Sequence, residues 1–160
     1  MGRRQCRRPT LPMERSAMPR VTRQHTVAHH LVQGGLIDLK LTEAAQKKDQ
    51  PGLYRADGFS VRSYRAPDGT LLTVAGAYGP DWVMTRAEIR HRLQQPYIRY
   101  TVTDDAPGIA DHEQLVRWAT AEELRARRRE AAARQAPVLA LIRHQEREQD
   151  AADAGQSALF

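Results

Sequence analysis

Apolar residues recur along this chain with a period that changes from stretch to stretch, and each change marks an element. From Thr22 to Gln33, Val27, Leu31 and Val32 fall at helical spacing, and the pair Gly34-Gly35 ends the segment. Leu36, Ile37, Leu39 and Leu41 mix the two periods, so this stretch reads either as a strand or as a second helix running to Lys48. Asp49-Gln50-Pro51-Gly52 is a turn. Phe59 to Arg65 and Thr70 to Ala75 are short runs rich in Val, Thr and aromatic residues, joined by Ala66-Pro67-Asp68-Gly69. Proline presets the turn φ, Asp68 can accept a bond from its own backbone, and Gly69 takes a positive φ without a steric cost. The pattern predicts a β-hairpin.

After Gly79-Pro80, the sequence predicts a helix with Thr85 as N-cap, Glu88 closing a capping box, and Met84 with Ile89 as a hydrophobic staple. Ile89 and Leu93 would face inward, and Pro96 would end the helix. Tyr97 to Thr103 alternates as a third strand, with Ile98, Tyr100 and Val102 on one face. The expected fold is α+β: a small antiparallel sheet of order β-β-α-β with a packed helix, followed by a charged helical C-terminal extension.

That extension is expected from Pro107-Gly108 to about residue 150, with helix starts at Asp111 with Gln114 and at Thr120 with Glu123. Between residues 121 and 136 the only large apolar residue is Leu124, while Glu123 with Arg127 and Glu130 with Arg134 are favourable i,i+4 pairs. Such a helix is either solvated or lies on a partner. Pro137 should break or kink it. Val138, Leu139, Leu141 and Ile142 then form a short apolar patch that could dock on the sheet or pair with another subunit, making a homodimer. Residues 150–155 are small and acidic, which predicts a flexible segment.

Leu, Ile, Val and Phe together supply 30 of the 160 residues, which suits a modest core with polar appendages better than one compact globule. The expected organisation is a basic disordered arm at 1–21, an α+β domain at 22–119, a charged helix at 120–149 and a flexible tail at 150–160.

The net charge of +6 invites a nucleic-acid reading, but its location weakens it. Residues 1–20 hold six arginines and one acid, which leaves the other 140 residues close to neutral. A start at Met13 or Met18 would remove most of that charge. The single cysteine, Cys6, lies in the same arm and supports neither a disulfide framework nor a cysteine metal site. No apolar run follows the early arginines, and no stretch is long enough to span a bilayer, so a cytoplasmic protein without a membrane partner is expected.

The feature most suggestive of function is Gln156-Ser157-Ala158-Leu159-Phe160. It resembles the short peptides by which bacterial polymerases, mismatch-repair proteins and initiation regulators bind the DNA sliding clamp: a leading glutamine, two tolerant positions and a Leu-Phe pair. The resemblance covers five residues and implies nothing about the fold. It implies that Leu159 and Phe160 fill an apolar pocket while the Gln156 carboxamide fixes the register at its rim. The expected function is then a non-enzymatic accessory protein of DNA replication or repair, of a size that suits a phage or mobile element. The alternative for the peptide is that Leu159 and Phe160 fold back onto the body.

Two other classes stand beside this reading. A nucleic-acid-binding module would use Arg3, Arg4, Arg7 and Arg8 of the arm on DNA or RNA, with Arg125, Arg128 and Arg129 on one face of the helix. Glu122, Glu123 and Glu130 partly cancel that helix, and no aromatic residues are interleaved for base stacking. A protein-binding inhibitor or assembly factor would use Val138, Leu139 and Ile142. Catalytic signatures are weak. His25 and His29 have i,i+4 spacing but Thr26 stands where a zinc protease helix has glutamate, and turn chemistry explains Asp104-Asp105 as well as a metal does. No cofactor, metal or catalytic residue is expected. Trp82 and Trp118 are expected to anchor the core.

Overall fold

A computed structural model describes residues 21–46 and 50–157. Helix α1 spans Gln24–Gln33, α2 Glu43–Gln46, α3 Trp82–Leu93 and α4 Ala121–Ser157. Strands β1 (Gly58–Arg65), β2 (Leu71–Tyr78), β3 (Tyr100–Thr103) and β4 (Glu113–Trp118) form one antiparallel sheet in the order β1-β2-β4-β3. The α+β class and the packed helix agree with the sequence.

The hairpin forms as its turn chemistry dictates. Asp68 Oδ1 accepts from the Thr70 amide at 2.9 Å, and Gly69 has φ +85°. That bond to Thr70 holds the Asp68 carboxyl below its ordinary range. Leu36–Leu41 is neither a regular strand nor a long helix. Asp38 makes a lone parallel bridge to Phe59, and α2 follows as a single turn.

Three expectations are corrected. Helix α3 begins at Trp82, so Thr85 is not its N-cap. Thr85 lies buried within the first turn, its hydroxyl donating to the Asp81 carbonyl at 3.3 Å, and Glu88 pairs with Arg92 at 2.6 Å. Met84 is exposed, so the staple with Ile89 does not form. The earlier start has a cause: Gly79, at φ +113°, turns the chain, and Asp57 Oδ1 accepts from the Asp81 amide at 2.8 Å.

The second correction concerns residues 113–118, expected in a helix that starts at Asp111 and Gln114. They form β4, which enters between β2 and β3. The β-β-α-β unit is therefore β-β-α-β-β, and β3 pairs with neither strand of the hairpin. β2 pairs with Glu113 to Val116 and β3 with Leu115 to Trp118, so every residue of β4 has a strand partner, which outweighs a local helix-start signal.

The third concerns α4. Pro137 lies inside it without ending it, and the helix continues through Asp150–Gly155, where a flexible segment was expected. Around Pro137 the helix is exposed, so water can satisfy the carbonyl of Ala133 that loses its N–H partner.

Helices α1 and α3 cover one face of the sheet. Val27 and Leu31 from α1 and Ile89 and Leu93 from α3 meet Phe59, Ala75, Ala77, Val102 and Val116 in a closed core. Trp82 and Trp118 pack against its rim, half-buried. The opposite face is also buried and sets polar groups among the apolar Val74 and Leu115. Arg62 on β1 reaches across β2 to Glu113 on β4 with two bonds of 2.8 Å, their side chains 8% and 3% exposed. The bond to Glu113 raises the Arg62 pKa above the ordinary arginine value. Beside this pair Gln46 bonds Ser60, Leu41 and Val61, and Tyr78 donates to the Gln46 carbonyl. Burial pushes the Tyr78 phenol well above its usual value.

Candidate interaction surfaces of helix α4

Among the described residues, helix α4 is fixed to the domain through its first three turns. Thr120 and Glu123 form the expected capping box: the Glu123 amide donates to Thr120 Oγ1 at 3.2 Å and the Thr120 amide to Glu123 Oε2 at 2.8 Å. Arg117 at the end of β4 holds the same carboxylate with bonds of 2.7 and 3.1 Å. Its guanidinium, with the Thr120 amide and hydroxyl, brings the Glu123 carboxyl down to about 2.

One turn on, Arg127 reaches back to the outer strand. It donates to the Tyr100 carbonyl at 2.6 Å and to the Thr101 hydroxyl. β3 is an edge strand, and this guanidinium satisfies a backbone acceptor that would otherwise face solvent. Partial burial there lowers the Arg127 pKa from its ordinary value. Leu124 and Ala131, on the same side of the helix, are half-buried.

Past Ala131 every described side chain of α4 is exposed. Val138 is 58% exposed, Leu139 49%, Leu141 61% and Ile142 44%, so the apolar patch does not dock on the sheet. The helix ends at Ser157, and Gln156 is exposed in its last turn. Leu159 and Phe160 lie outside the described residues, as do Arg3, Arg4, Arg7 and Arg8.

Between α3 and the first turns of α4 lies a cleft of about 1010 Å³. Arg86 and Arg90 of α3 line one wall and Arg128 and Arg134 of α4 the other. At the α3 wall Asp104 takes Arg86 at 2.7 Å and Arg90 at 2.6 Å. This engages Asp104 in a salt-bridge fork, while Asp105 beside it is exposed. Arg125, Arg128 and Arg129 are exposed, and only Arg127 turns inward. His25 and His29 are exposed on α1. His30 packs edge-on to Tyr100, where burial and then the neighbouring His29 lower its pKa. No group of three metal-ligating side chains converges among the described residues, and no helix among them is long and apolar enough to cross a membrane.

The structure thus brings together residues that the sequence kept apart. The buried Arg62–Glu113 pair was not foreseen, because its partners lie on strands separated by a third. The α3/α4 cleft was not foreseen either, since its walls come from two separate helices. Comparison with known proteins finds no matching family model and no significantly similar curated protein or solved structure.

Proposed function

We propose that this protein is an accessory factor of DNA replication or repair that docks on the bacterial sliding clamp through Gln156-Ser157-Ala158-Leu159-Phe160. The observation that supports this is the projection of α4. From Ala131 to Ser157 the helix would carry the peptide about 39 Å at 1.5 Å per residue, clear of the sheet domain. A ring-bound peptide on such an arm leaves the domain free to hold something else. The last turn, with Gln156 exposed, can unwind at almost no cost.

The test is direct binding of the full chain to a purified bacterial clamp, beside a chain ending at Gly155 and a Leu159→Ala/Phe160→Ala variant. Binding that weakens at least about tenfold in both variants, equivalent to about 1.4 kcal/mol, is the expected result. Equal binding by all three, or none by the full chain at tens of micromolar, removes the proposal.

A nucleic-acid role is the second reading, favoured by the exposed Arg125, Arg128 and Arg129 at the mouth of an arginine-lined cleft. It predicts affinity that falls steeply with salt and persists in the chain ending at Gly155.

A further inference from the structure

Residues seven apart in α4 fall on one face of the helix, and past Ala131 the large apolar residues of that face are Val138 and Ile142. Taking Gln135 as the first position of a heptad, Arg128, Ile142 and Gln149 share that position, and Ala131, Val138 and Gln145 follow each by three. These residues make one stripe along the helix. Val138 and Ile142 form its apolar centre, and Leu139 and Leu141 flank them on either side.

The charges on the flanks are sorted by position. On the Leu139 flank Arg125 lies toward the start of the helix, and Glu146 and Asp153 toward its end. On the Leu141 flank Arg134 lies before the leucine and Glu148 after it, while Arg127, one heptad before Arg134, is held by β3. Each flank is therefore basic, then apolar, then acidic. Such a surface complements itself only when it is reversed.

We propose that α4 pairs with α4 of a second copy of this chain as an antiparallel coiled coil centred on Val138 and Ile142. In this register Val138 packs against the partner's Ile142, and Leu139 and Leu141 meet the partner's Leu139 and the partner's Leu141. Gln135 faces the partner's Gln145, where two carboxamides can bond each other and fix the alignment. Arg134 meets the partner's Glu148, and Arg125 meets the partner's Asp153. A parallel pair would instead bring Glu148 beside the partner's Asp153, a like-charge contact, and leave Arg134 beside the partner's Leu139.

Two features of the tertiary structure fit this arrangement. Pro137 lies away from the stripe, so its missing N–H and the unpartnered Ala133 carbonyl both face water. The acidic end of the partner helix would also run toward the cleft between α3 and α4. There Arg86 and Arg90 on one wall and Arg128 and Arg134 on the other outnumber Asp104 and Glu130, and Asp150 and Asp153 of the arriving helix would supply matching charge. In this dimer Gln156 comes level with the partner's Leu124, so each tail is carried clear of its own domain but lies beside that of the second copy; the test of the dimer does not use clamp binding.

Sedimentation equilibrium of the full chain tests it. A dimer at micromolar concentration is expected. Val138→Lys/Ile142→Lys should give a monomer with unchanged tryptophan fluorescence, since both residues are exposed in the single chain. The register is tested with Arg134→Glu and Glu148→Arg. Each variant alone places like charges at both symmetry-related sites and weakens the dimer. An equimolar mixture places opposite charges at both, and should associate about tenfold more tightly than either alone, as expected for two exposed pairs. A wild-type chain that stays monomeric at 100 µM (about the upper end of the titration), a lysine variant that still dimerises, or a mixture no tighter than its components would each overturn the proposal.

Discussion

Replacing Arg62 with methionine removes the cation from the face of the sheet opposite α1 and α3 and should be among the most damaging single changes in the protein. The pair has two charge-assisted bonds of 2.8 Å and almost no exposure to water. In Arg62→Met the Glu113 carboxylate stays buried with one protein donor, the Ala110 amide at 3.1 Å. Stranding a buried charge in this way costs about 3–5 kcal/mol, a large part of the roughly 5–15 kcal/mol that holds an ordinary domain folded. Removing both charges, as in Arg62→Met/Glu113→Leu, eliminates the stranded ion. What remains is the Ala110 amide left without its acceptor, worth about 1–3 kcal/mol. The double variant should therefore be more stable than Arg62→Met. Urea titration at pH 7, followed through Trp82 and Trp118, measures all the arms at one protein concentration. A loss below about 1 kcal/mol in Arg62→Met, or a double variant as unstable as the sum of its singles, would refute this account of the pair.

Two further changes probe how the sheet and α4 are held. At Gly76 an added Cβ would meet the Tyr78 ring at 2.8–3.0 Å, so Gly76→Ala should cost about 1–3 kcal/mol in the same titration. Glu123→Gln tests the anchor of α4. A carboxyl held at about 2, below its ordinary 4.5, gives stability that is fully present above 4.5 and lost as pH falls through 2. Because that side chain is 34% exposed, the loss at pH 7 should be only about 1 kcal/mol after screening, and the variant and the wild type should converge near pH 2.

Features that rest on neighbours in the chain were legible before any fold was known. The Asp68-Gly69 turn, the Thr120–Glu123 capping box and the buried stripe of Val27 and Leu31 are each set within a few residues. In such cases one side chain satisfies or turns the backbone beside it, and distant groups have little to add. Thr85 shows where local logic fails. Its capping box with Glu88 is sound as a pattern, but Asp57, distant in sequence, accepts the Asp81 amide and the helix starts a turn earlier.

The fate of residues 113–118 depended on contacts distant in the chain. Their helix-start residues competed with a place between two strands, where β2 pairs Glu113 to Val116 and β3 pairs Leu115 to Trp118. The Arg62–Glu113 bridge depends on that same insertion, since without β4 in the middle Glu113 has no cation within reach. On α4 the division runs the other way. The exposed apolar patch and the sorted charges are written in the sequence, but intrachain docking of the patch was also open to it. The tertiary structure removes that option, because Arg117 and Arg127 fix the helix by its first turns and direct the rest away from the sheet.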